Sequence, residues 1–235
     1  MEITRERWLP FDHERSYTRR YNDHFYREAA GHISGRVLDL GAKTSNREQY
    51  ERLGGGLEEY VSMDIAWNEN LDVVGDGRQL PVKPDSVDTV VVSAVLEHVP
   101  IQEVPAFLEE IKRVLRPNGS VIAYVPFLYY LHGTPHDYYR PTYYGLDSLF
   151  TDAGFETELF VGGGAGEFLL HAAYGLYTTA TGKLPVDSYT WIPFAVFHYV
   201  SRLLATGVGQ VVGSSDVLDR WYIGQLIVGV NRSGE

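Results

Sequence analysis

Segments with strand-type and helix-type hydrophobic patterns alternate along the chain from residue 36 onward. Residues 87–92 form a nearly continuous β-branched run, which is typical of a central parallel strand buried on both faces. Apolar side chains recur at helical spacing through residues 101–115, which predicts an amphipathic helix that ends at Pro117, Asn118 and Gly119. The alternation predicts an α/β fold with a doubly wound parallel sheet.

The same pattern predicts the elements of the whole chain. Strands are predicted over residues 36–41, 59–64, 71–74, 87–92, 121–125, 155–161 and 222–230. Helices are predicted over residues 16–30, 45–53, 101–115 and 141–153, and two more over 168–179 and 193–212. We therefore expect one domain, made of a helical N-terminal cover (1–34), a core (35–162), an apolar helical insertion (163–220) and a last strand with its tail (221–235).

Charge and composition narrow the classes of function. The 235 residues carry a formal net charge of -11, which would repel a phosphate backbone, so nucleic acid is not expected as a partner. The sequence contains no cysteine, which excludes disulfides, thiolate nucleophiles and sulfur-ligated zinc sites. The charged N-terminus does not resemble a secretory signal and no apolar run is long enough to span a membrane, so we expect a cytoplasmic protein.

Acidic residues follow the predicted carboxyl ends of three strands. Asp39 lies in an otherwise apolar strand end, where burying an unpaired carboxylate would be costly, so it needs a partner. Asp64 ends the second strand at the sequence distance where nucleotide-binding sheets place an acid on ribose hydroxyls. Asp76 and Gly77 follow the third strand in a short loop. Because ligands bind outside the carboxyl ends of parallel strands, these positions predict one binding groove.

Four segments in this order resemble the motif series of class I S-adenosylmethionine-dependent methyltransferases over residues 35–160. The segments are Val37-Leu38-Asp39-Leu40-Gly41, the acid Asp64, residues 75–81, and Val95-Leu96-Glu97-His98-Val99. The resemblance implies a Rossmann-like, seven-stranded sheet with an antiparallel last strand, and S-adenosyl-L-methionine as cofactor. The resemblance implies that Asp39 and Gly41 hold the methionine end of the cofactor, and that Asp64, beside Ile65, holds its ribose. It further implies that Asp76 and Gly77 hold the adenine. Residues 93–98, including Ser93 and His98, would form the wall beside the sulfonium.

The first loop departs from the family pattern. Such loops normally carry a second glycine two residues after the first, whereas Gly41 is followed by Ala42, Lys43 and Thr44. Lys43 would narrow the groove or place a cation near the cofactor carboxylate. The alternative is a Rossmann-like domain that does not bind the cofactor, in which Asp39 and Asp64 are only helix caps or loop anchors. A nicotinamide dehydrogenase is disfavoured because no phosphate-cradling glycine follows Gly41.

The segment after the fifth predicted strand is dense in aromatic and hydrogen-bonding side chains, and by topology it overhangs the groove. A polar acceptor is expected there, since a guanidinium binds carboxylates and histidines exchange protons near neutral pH. The segment is similar to one in a subgroup of these methyltransferases associated with surface-polysaccharide and glycan assembly. The expected acceptor-binding residues are His132, His136, Tyr138, Tyr139 and Arg140.

Two kinds of methyl transfer fit this segment. If the acceptor is a uronic acid, which Arg140 and the resemblance favour slightly, Arg140 would orient its carboxylate. If it is a sugar hydroxyl, His136 or His98 would remove the proton. The alternative interpretation is that His136, Asp137 and Arg140 form a structural network that fixes the loop. No metal site is expected, because His132 and His136 lack further ligands in the pattern.

The insertion carries a narrow polar stripe, His198, Arg202 and Thr206, on an otherwise apolar helix. The wide apolar face predicts burial against the sheet or in a homodimer, or peripheral contact of residues 165–213 with the inner face of the membrane. The sequence thus predicts an O-methyltransferase for a sugar or uronic acid of a glycan, soluble or lipid-linked. A small-metabolite methyltransferase and a catalytically silent assembly subunit are the alternatives.

Overall fold

The computed structural model describes residues 25–42, 46–52, 56–67, 69–162 and 222–232, the backbone of residues 3–6, and isolated helical positions at 172, 173, 176, 196 and 200. Within these residues an eight-stranded sheet has the order β1-β7-β8-β6-β5-β2-β3-β4. The strands are β1 (Ile3–Glu6), β2 (Ser34–Leu40), β3 (Gly56–Asp64), β4 (Val73–Val74), β5 (Val87–Ser93), β6 (Leu115–Pro126), β7 (Glu156–Gly162) and β8 (Gly224–Val230).

Short helices connect the strands. Three α-helices are described in full, namely α1 (Arg47–Arg52), α2 (Val104–Val114) and α3 (Tyr143–Asp152). Three 3-10 turns cover Ala30–His32, Leu96–His98 and Ile101–Glu103, and residues 25–28 are helical. Thr142 caps α3 by accepting a hydrogen bond from the Gly145 amide, and Lys112 donates to the carbonyls of Ala153 and Gly154 at its other end.

The sheet is buried on both faces, as a doubly wound fold requires. Alternate residues of β5 enter different apolar clusters, with Val90 packing on the face covered by α2 and α3, and Val91 on the face covered by α1 and residues 25–33. The order of β2 to β8 reverses between β2 and β5, where crossovers leave in opposite directions, and β8 runs antiparallel between β6 and β7. The carboxyl ends of β2, β3, β4 and β5 therefore form one edge at this switch point.

The predicted fold class is confirmed, with its seven strands and an antiparallel last strand. The structure adds an eighth strand, β1, paired parallel to β7 at the edge, within the region expected to be only a helical cover. The helix predicted over residues 16–30 is expected to be only a cover outside the core, which is wrong for its end: Phe25 and Tyr26 are buried. Residues 16–24 lie outside the described residues.

The insertion lies almost entirely outside the described residues. His198, Arg202 and Thr206 are among the residues not described, so the polar stripe expected there stays a prediction. Three of its five described positions, Leu176, Val196 and Val200, are exposed. In the part of the chain that the structure describes, no helix combines the length and apolar character needed to cross a membrane.

Candidate active site

Backbone hydrogen bonds hold the carboxyl ends of β2, β3 and β4 together. The Gly41 amide donates to the Met63 carbonyl at 2.8 Å, and the Gly75 amide donates to the Asp64 carbonyl at 3.0 Å. The chain segments that carry Asp39, Asp64 and Asp76 are thus adjacent at one edge of the sheet. The structure brings these three predicted positions to a common edge, as the spacing of the acids indicated.

Asp39 is a buried acid with one satisfied oxygen. Its side chain is 1% exposed, and its Oδ2 accepts hydrogen bonds from Asn46 Nδ2 (2.9 Å), Tyr60 Oη (2.6 Å) and Tyr50 Oη (3.2 Å). Its Oδ1 is buried and has no partner among the described residues. Desolvation raises the pKa of Asp39 from 3.8 to about 6, against the three hydrogen bonds, which lower it. An orphaned oxygen of this kind fits the ammonium of an amino acid.

The backbone turns sharply after Asp39 at Gly41. Gly41 has a φ of +75°, and a Cβ built on it would lie 2.2 Å from Cγ2 of Val95, in the segment that follows β5. Ala94 also has a positive φ, 52°, so the two chain segments that border the groove approach each other through turns. Lys43 lies outside the described residues, so its expected effect on the groove stays a prediction.

Gly41→Ala is expected to lower the free energy of unfolding by about 1–3 kcal/mol, because the new methyl group combines a left-handed backbone with a steric overlap. Val95→Ala would remove the overlapping Cγ2, so the double variant should recover part of the loss. Chemical denaturation of the two single variants and the double variant measures this coupling. Strict additivity would contradict the direct contact.

The positions expected to hold ribose and adenine are accessible. Oδ1 of Asp64 accepts a hydrogen bond from the Ala66 amide at 2.9 Å, while the following Ile65 is 67% exposed, as suits a side chain that packs on a base. Asp76 is bound by Arg78 through Nε at 2.9 Å, and this hydrogen bond is the main cause of its lowered pKa. Asp76 would therefore have to bind an adenine amino group while paired with Arg78. Gly77 lies tightly against the ring of Phe107, which leaves no room for a side chain.

The segment after β5 carries a buried carboxylate that sequence reasoning did not select as a site residue. Glu97 is 0% exposed, and neither of its carboxylate oxygens has a hydrogen-bond partner among the described residues. Oε1 lies 3.6 Å from Nε2 of His132 and 3.9 Å from Nε2 of His98. The only signal in the sequence was the position of Glu97 inside a recognised motif, because His132 is remote along the chain.

Residues of the overhanging loop contact both histidines. His98 Nδ1 lies 2.6 Å from the His136 carbonyl, which can only accept, so Nδ1 donates the proton and Nε2 holds the lone pair whenever the ring is neutral. The rings of His98 and His132 meet edge to face at a centroid distance of 4.9 Å. The pKa of His132 is raised, chiefly by its interaction with Glu97 and further by Asp137. The cluster of Glu97, His98 and His132 is called the triad below.

The guanidinium of Arg140 is occupied by Asp137. Nη2 donates to Oδ2 of Asp137 at 2.7 Å and Nη1 donates to Oδ1, a bidentate pair in which the Asp137 side chain is 2% exposed. Asp137 also accepts from the His132 amide at 2.9 Å, and these contacts lower its pKa, with the Arg140 hydrogen bond the largest cause. The pair joins two of the three residues of the structural alternative, Asp137 and Arg140, and leaves the His136 ring out. The role of Arg140 in carboxylate binding stays a prediction.

The remaining predicted acceptor residues take different positions. The His136 ring is exposed and its Nδ1 lies 2.9 Å from Tyr138 Oη, so only its backbone carbonyl reaches His98. The Tyr138 amide donates to the Glu97 carbonyl at 2.9 Å, which ties the loop to the triad. Tyr139 Oη is buried without a partner among the described residues, and burial raises its pKa. Ser93 ends β5 half-buried.

Comparison with known proteins agrees with this geometry. Residues 18–123 match the family model described as a methyltransferase domain. A SAM-dependent methyltransferase from Archaeoglobus fulgidus superposes with a TM-score of 0.58 at 14% identity, covering 90% of this chain and 94% of that one. Phosphoethanolamine N-methyltransferase 2 from Haemonchus contortus, solved with S-adenosyl-L-methionine, has a TM-score of 0.54 at 15% identity, covering 89% of this chain and 52% of that one. No curated protein sequence matches significantly.

The family model covers less than half of the chain, and the superpositions show the fold that solved S-adenosylmethionine-dependent methyltransferases have. The orphaned Asp39 oxygen, the tight turn at Gly41 and the exposed Ile65 fit the methionine and adenosine parts of S-adenosylmethionine. The [4+2]-cyclase SpnF also superposes with a TM-score of 0.58 at 14% identity, covering 95% of this chain and 86% of that one. Because this fold carries more than one reaction, the acceptor chemistry has to be argued from the site.

Proposed function

We propose that the protein is an O-methyltransferase that methylates a hydroxyl of a sugar in a glycan. The observation that carries the proposal is the buried Glu97 carboxylate beside His98 Nε2. Both residues closely follow Val95, the residue that packs against the turn at Gly41. A hydroxyl must lose its proton as its oxygen attacks, and this pair is built to receive a proton next to the cofactor groove.

Each residue of the pair has a separate task. His98 Nε2 takes the proton of the acceptor hydroxyl, since its Nδ1 proton is fixed on the His136 carbonyl. Glu97, 3.9 Å away in a water-excluded position, stabilises the imidazolium that forms. S-adenosylmethionine supplies the electrophilic methyl group when bound. The sequence leaves His136 and His98 as alternative bases, with packing in the pocket wall as the other interpretation of His98, and the exposed ring of His136 favours His98.

Hydroxyl methylation is favoured over methyl-ester formation. A uronate carboxylate would have to compete with Asp137 for both terminal nitrogens of Arg140, and Asp137 already binds them in a bidentate pair. Tyrosine rings beside the triad suit the flat face of a sugar: Tyr129 and Tyr130 stack at a centroid distance of 4.4 Å, and Tyr138 is 46% exposed. A uronic acid is the second candidate acceptor, and a small metabolite the third.

His98→Gln is expected to lower kcat for methyl transfer on the order of 10²–10⁴-fold while S-adenosylmethionine still binds, because the base is lost and the groove is kept. Labelled cofactor with a panel of neutral glycans, uronates and small metabolites measures this. His32→Gln, at the opposite end of the sheet, is the matched control and should retain activity. If His136→Gln lowered kcat by this factor while His98→Gln kept the wild-type kcat, the base would be His136 and not His98.

We also propose that residues 165–213 make peripheral contact with the inner face of the membrane, which would bring the enzyme to lipid-linked acceptors. Exposed Leu176, Val196 and Val200 support this. Replacing all three with serine should reduce co-sedimentation with anionic liposomes. Unchanged co-sedimentation, or a change of mass in solution from dimer to monomer instead, would favour a homodimer contact.

A further inference from the structure

We propose that the triad of Glu97, His98 and His132 binds a divalent transition-metal ion, with Zn²⁺ as the best match. The three ligand atoms, one carboxylate oxygen and two imidazole nitrogens, lie within 4.8 Å of one another. Two imidazoles with one carboxylate suit zinc, and three protein ligands leave a position open for an exogenous oxygen. The sequence pattern offers only His132 and His136 as candidate ligands, whereas the structure brings His132 together with Glu97 and His98.

Two of the three distances between ligand atoms require only small adjustments. Ligand atoms about 2.1 Å from a tetrahedral zinc ion lie about 3.4 Å from each other. Glu97 Oε1 is 3.6 Å from His132 Nε2 and 3.9 Å from His98 Nε2, so these pairs need movements of a few tenths of an ångström. The two imidazole nitrogens lie within 4.8 Å of each other, so the rings would move closer when they bind an ion. Both histidine side chains are about one quarter exposed, at 27% and 26%, so an ion can reach the cluster from solvent.

The buried carboxylate is the second, independent observation. Glu97 is 0% exposed, with no hydrogen-bond partner on either oxygen among the described residues. A buried carboxylate without hydrogen bonds is costly, and a divalent cation is the strongest compensation that two neutral imidazoles and a carboxylate can receive. Arg140, whose Nε is also buried and unpartnered within the described part of the chain, directs its terminal nitrogens to Asp137 instead.

Each histidine has a partner on the ring nitrogen that does not face Glu97. His98 donates its Nδ1 proton to the His136 carbonyl at 2.6 Å, which leaves Nε2 free to coordinate. His132 Nδ1 lies 3.3 Å from Oδ2 of Asp137 and accepts a hydrogen bond from Arg140 Nη2 at 3.2 Å, because a guanidinium can only donate. In the metal-free protein the proton of a neutral His132 is therefore on Nε2, and binding of the ion would release it.

The role of the ion rests on the proposed function, whereas the existence of the site does not. With the ion bound, His98 Nε2 is a ligand and cannot also act as the base, so this route replaces the proton transfer to His98 under Proposed function. The cation would lower the pKa of a sugar hydroxyl at the open position, and the proton would leave to solvent. The C–O bond forms and the methyl–sulfur bond breaks as in the metal-free account, with the sulfonium becoming a thioether. The ion therefore changes only how the hydroxyl is ionised.

The test uses the tag-free full-length protein, stripped with a chelator and titrated with Zn²⁺ by calorimetry without cofactor or acceptor. We expect one Zn²⁺ per chain, with affinity on the order of 100-fold weaker in Glu97→Gln and in His132→Asn, and unchanged in His32→Gln. Visible d–d absorption of Co²⁺ gives a second readout, free of thiolate bands because the chain has no cysteine. Circular dichroism checks folding, and if Glu97→Gln does not fold, His98→Asn and His132→Asn decide.

Two results would overturn the proposal: absence of Zn²⁺ binding by folded protein, or binding that survives both histidine substitutions. Failure of the site and failure of the proposed function are distinguishable. Full methyl transfer by chelator-stripped enzyme would exclude the role of the ion and leave the O-methyltransferase intact. Stoichiometric Zn²⁺ binding without transfer to any sugar hydroxyl would leave the site intact and exclude the proposed acceptor.

Discussion

Asp39→Asn is expected to weaken S-adenosylmethionine binding by about 10–100-fold and, at pH 8, to raise the free energy of unfolding of the cofactor-free protein. The amide oxygen can accept the hydrogen bonds of Asn46, Tyr50 and Tyr60, while the amide nitrogen replaces the orphaned Oδ1. A charge-assisted hydrogen bond to the methionine ammonium, worth about 1.5–3 kcal/mol, is lost. Calorimetric titration and denaturant unfolding measure the two effects.

The pH dependence of stability carries the same argument. Because the pKa of Asp39 is raised from 3.8 to about 6 on folding, the folded state holds its proton more tightly between these values. Protonation of Asp39 therefore stabilises the folded state in full below pH 3.8, and this stabilisation is lost as the pH rises through 6. The free energy of unfolding changes by about 3 kcal/mol at most. Asp39→Asn should remove this slope. A variant with the wild-type pH profile, or one less stable at pH 8, would contradict the buried, unsatisfied state of the acid.

Arg140→Ala is expected to destabilise the loop over the groove by about 2 kcal/mol, between the small value of an exposed pair and the 3–5 kcal/mol of a fully buried one. The reason is that the Asp137 side chain, 2% exposed, loses its bidentate partner, and His132 is bound to Asp137 in turn. The measurement is unfolding free energy together with kcat and KM. We expect a reduced kcat for every acceptor, because the loop positions His132.

Arg232→Ala is the matched control for this prediction. Arg232 forms a pair of similar length with Glu156, 2.8 Å, but both side chains are more than half exposed. Its loss should change the unfolding free energy by less than about 1 kcal/mol. An Arg140→Ala enzyme of normal stability, with KM raised for uronates alone, would show that Arg140 binds an acceptor carboxylate instead of fixing the loop.

Local patterns were sufficient for most of the sheet. The β-branched run predicted over residues 87–92 is the central strand Val87–Ser93, and the helical period of residues 101–115 gives Val104–Val114 after a 3-10 turn. The short edge strand Ile3–Glu6 was missed because its pairing partner, β7, is more than 150 residues away along the chain. Residues Phe25 and Tyr26 were misjudged because polar neighbours at helical spacing conceal two side chains that face the sheet.

The cofactor side was more predictable than the acceptor side for a physical reason. Asp39 and Asp64 are placed by strand ends, and strand ends follow from the hydrophobic pattern. Glu97 and His132 come together only through the folding of an irregular loop, in which the Tyr138 amide binds the Glu97 carbonyl. The pairing of Arg140 with Asp137 depends on the same loop. Side-chain partners of this kind leave no periodic signal in a sequence.

The stability of the methylated product to alkali tests the central claim most directly. The enzyme is incubated with S-adenosylmethionine labelled in its methyl group and with glycans that carry both free hydroxyls and uronates, and the purified product is treated with mild base. We predict that the label stays on the sugar as a methyl ether. Release of the label as methanol would identify a methyl ester, and would contradict the assignment of His98 and Glu97 to the deprotonation of a hydroxyl.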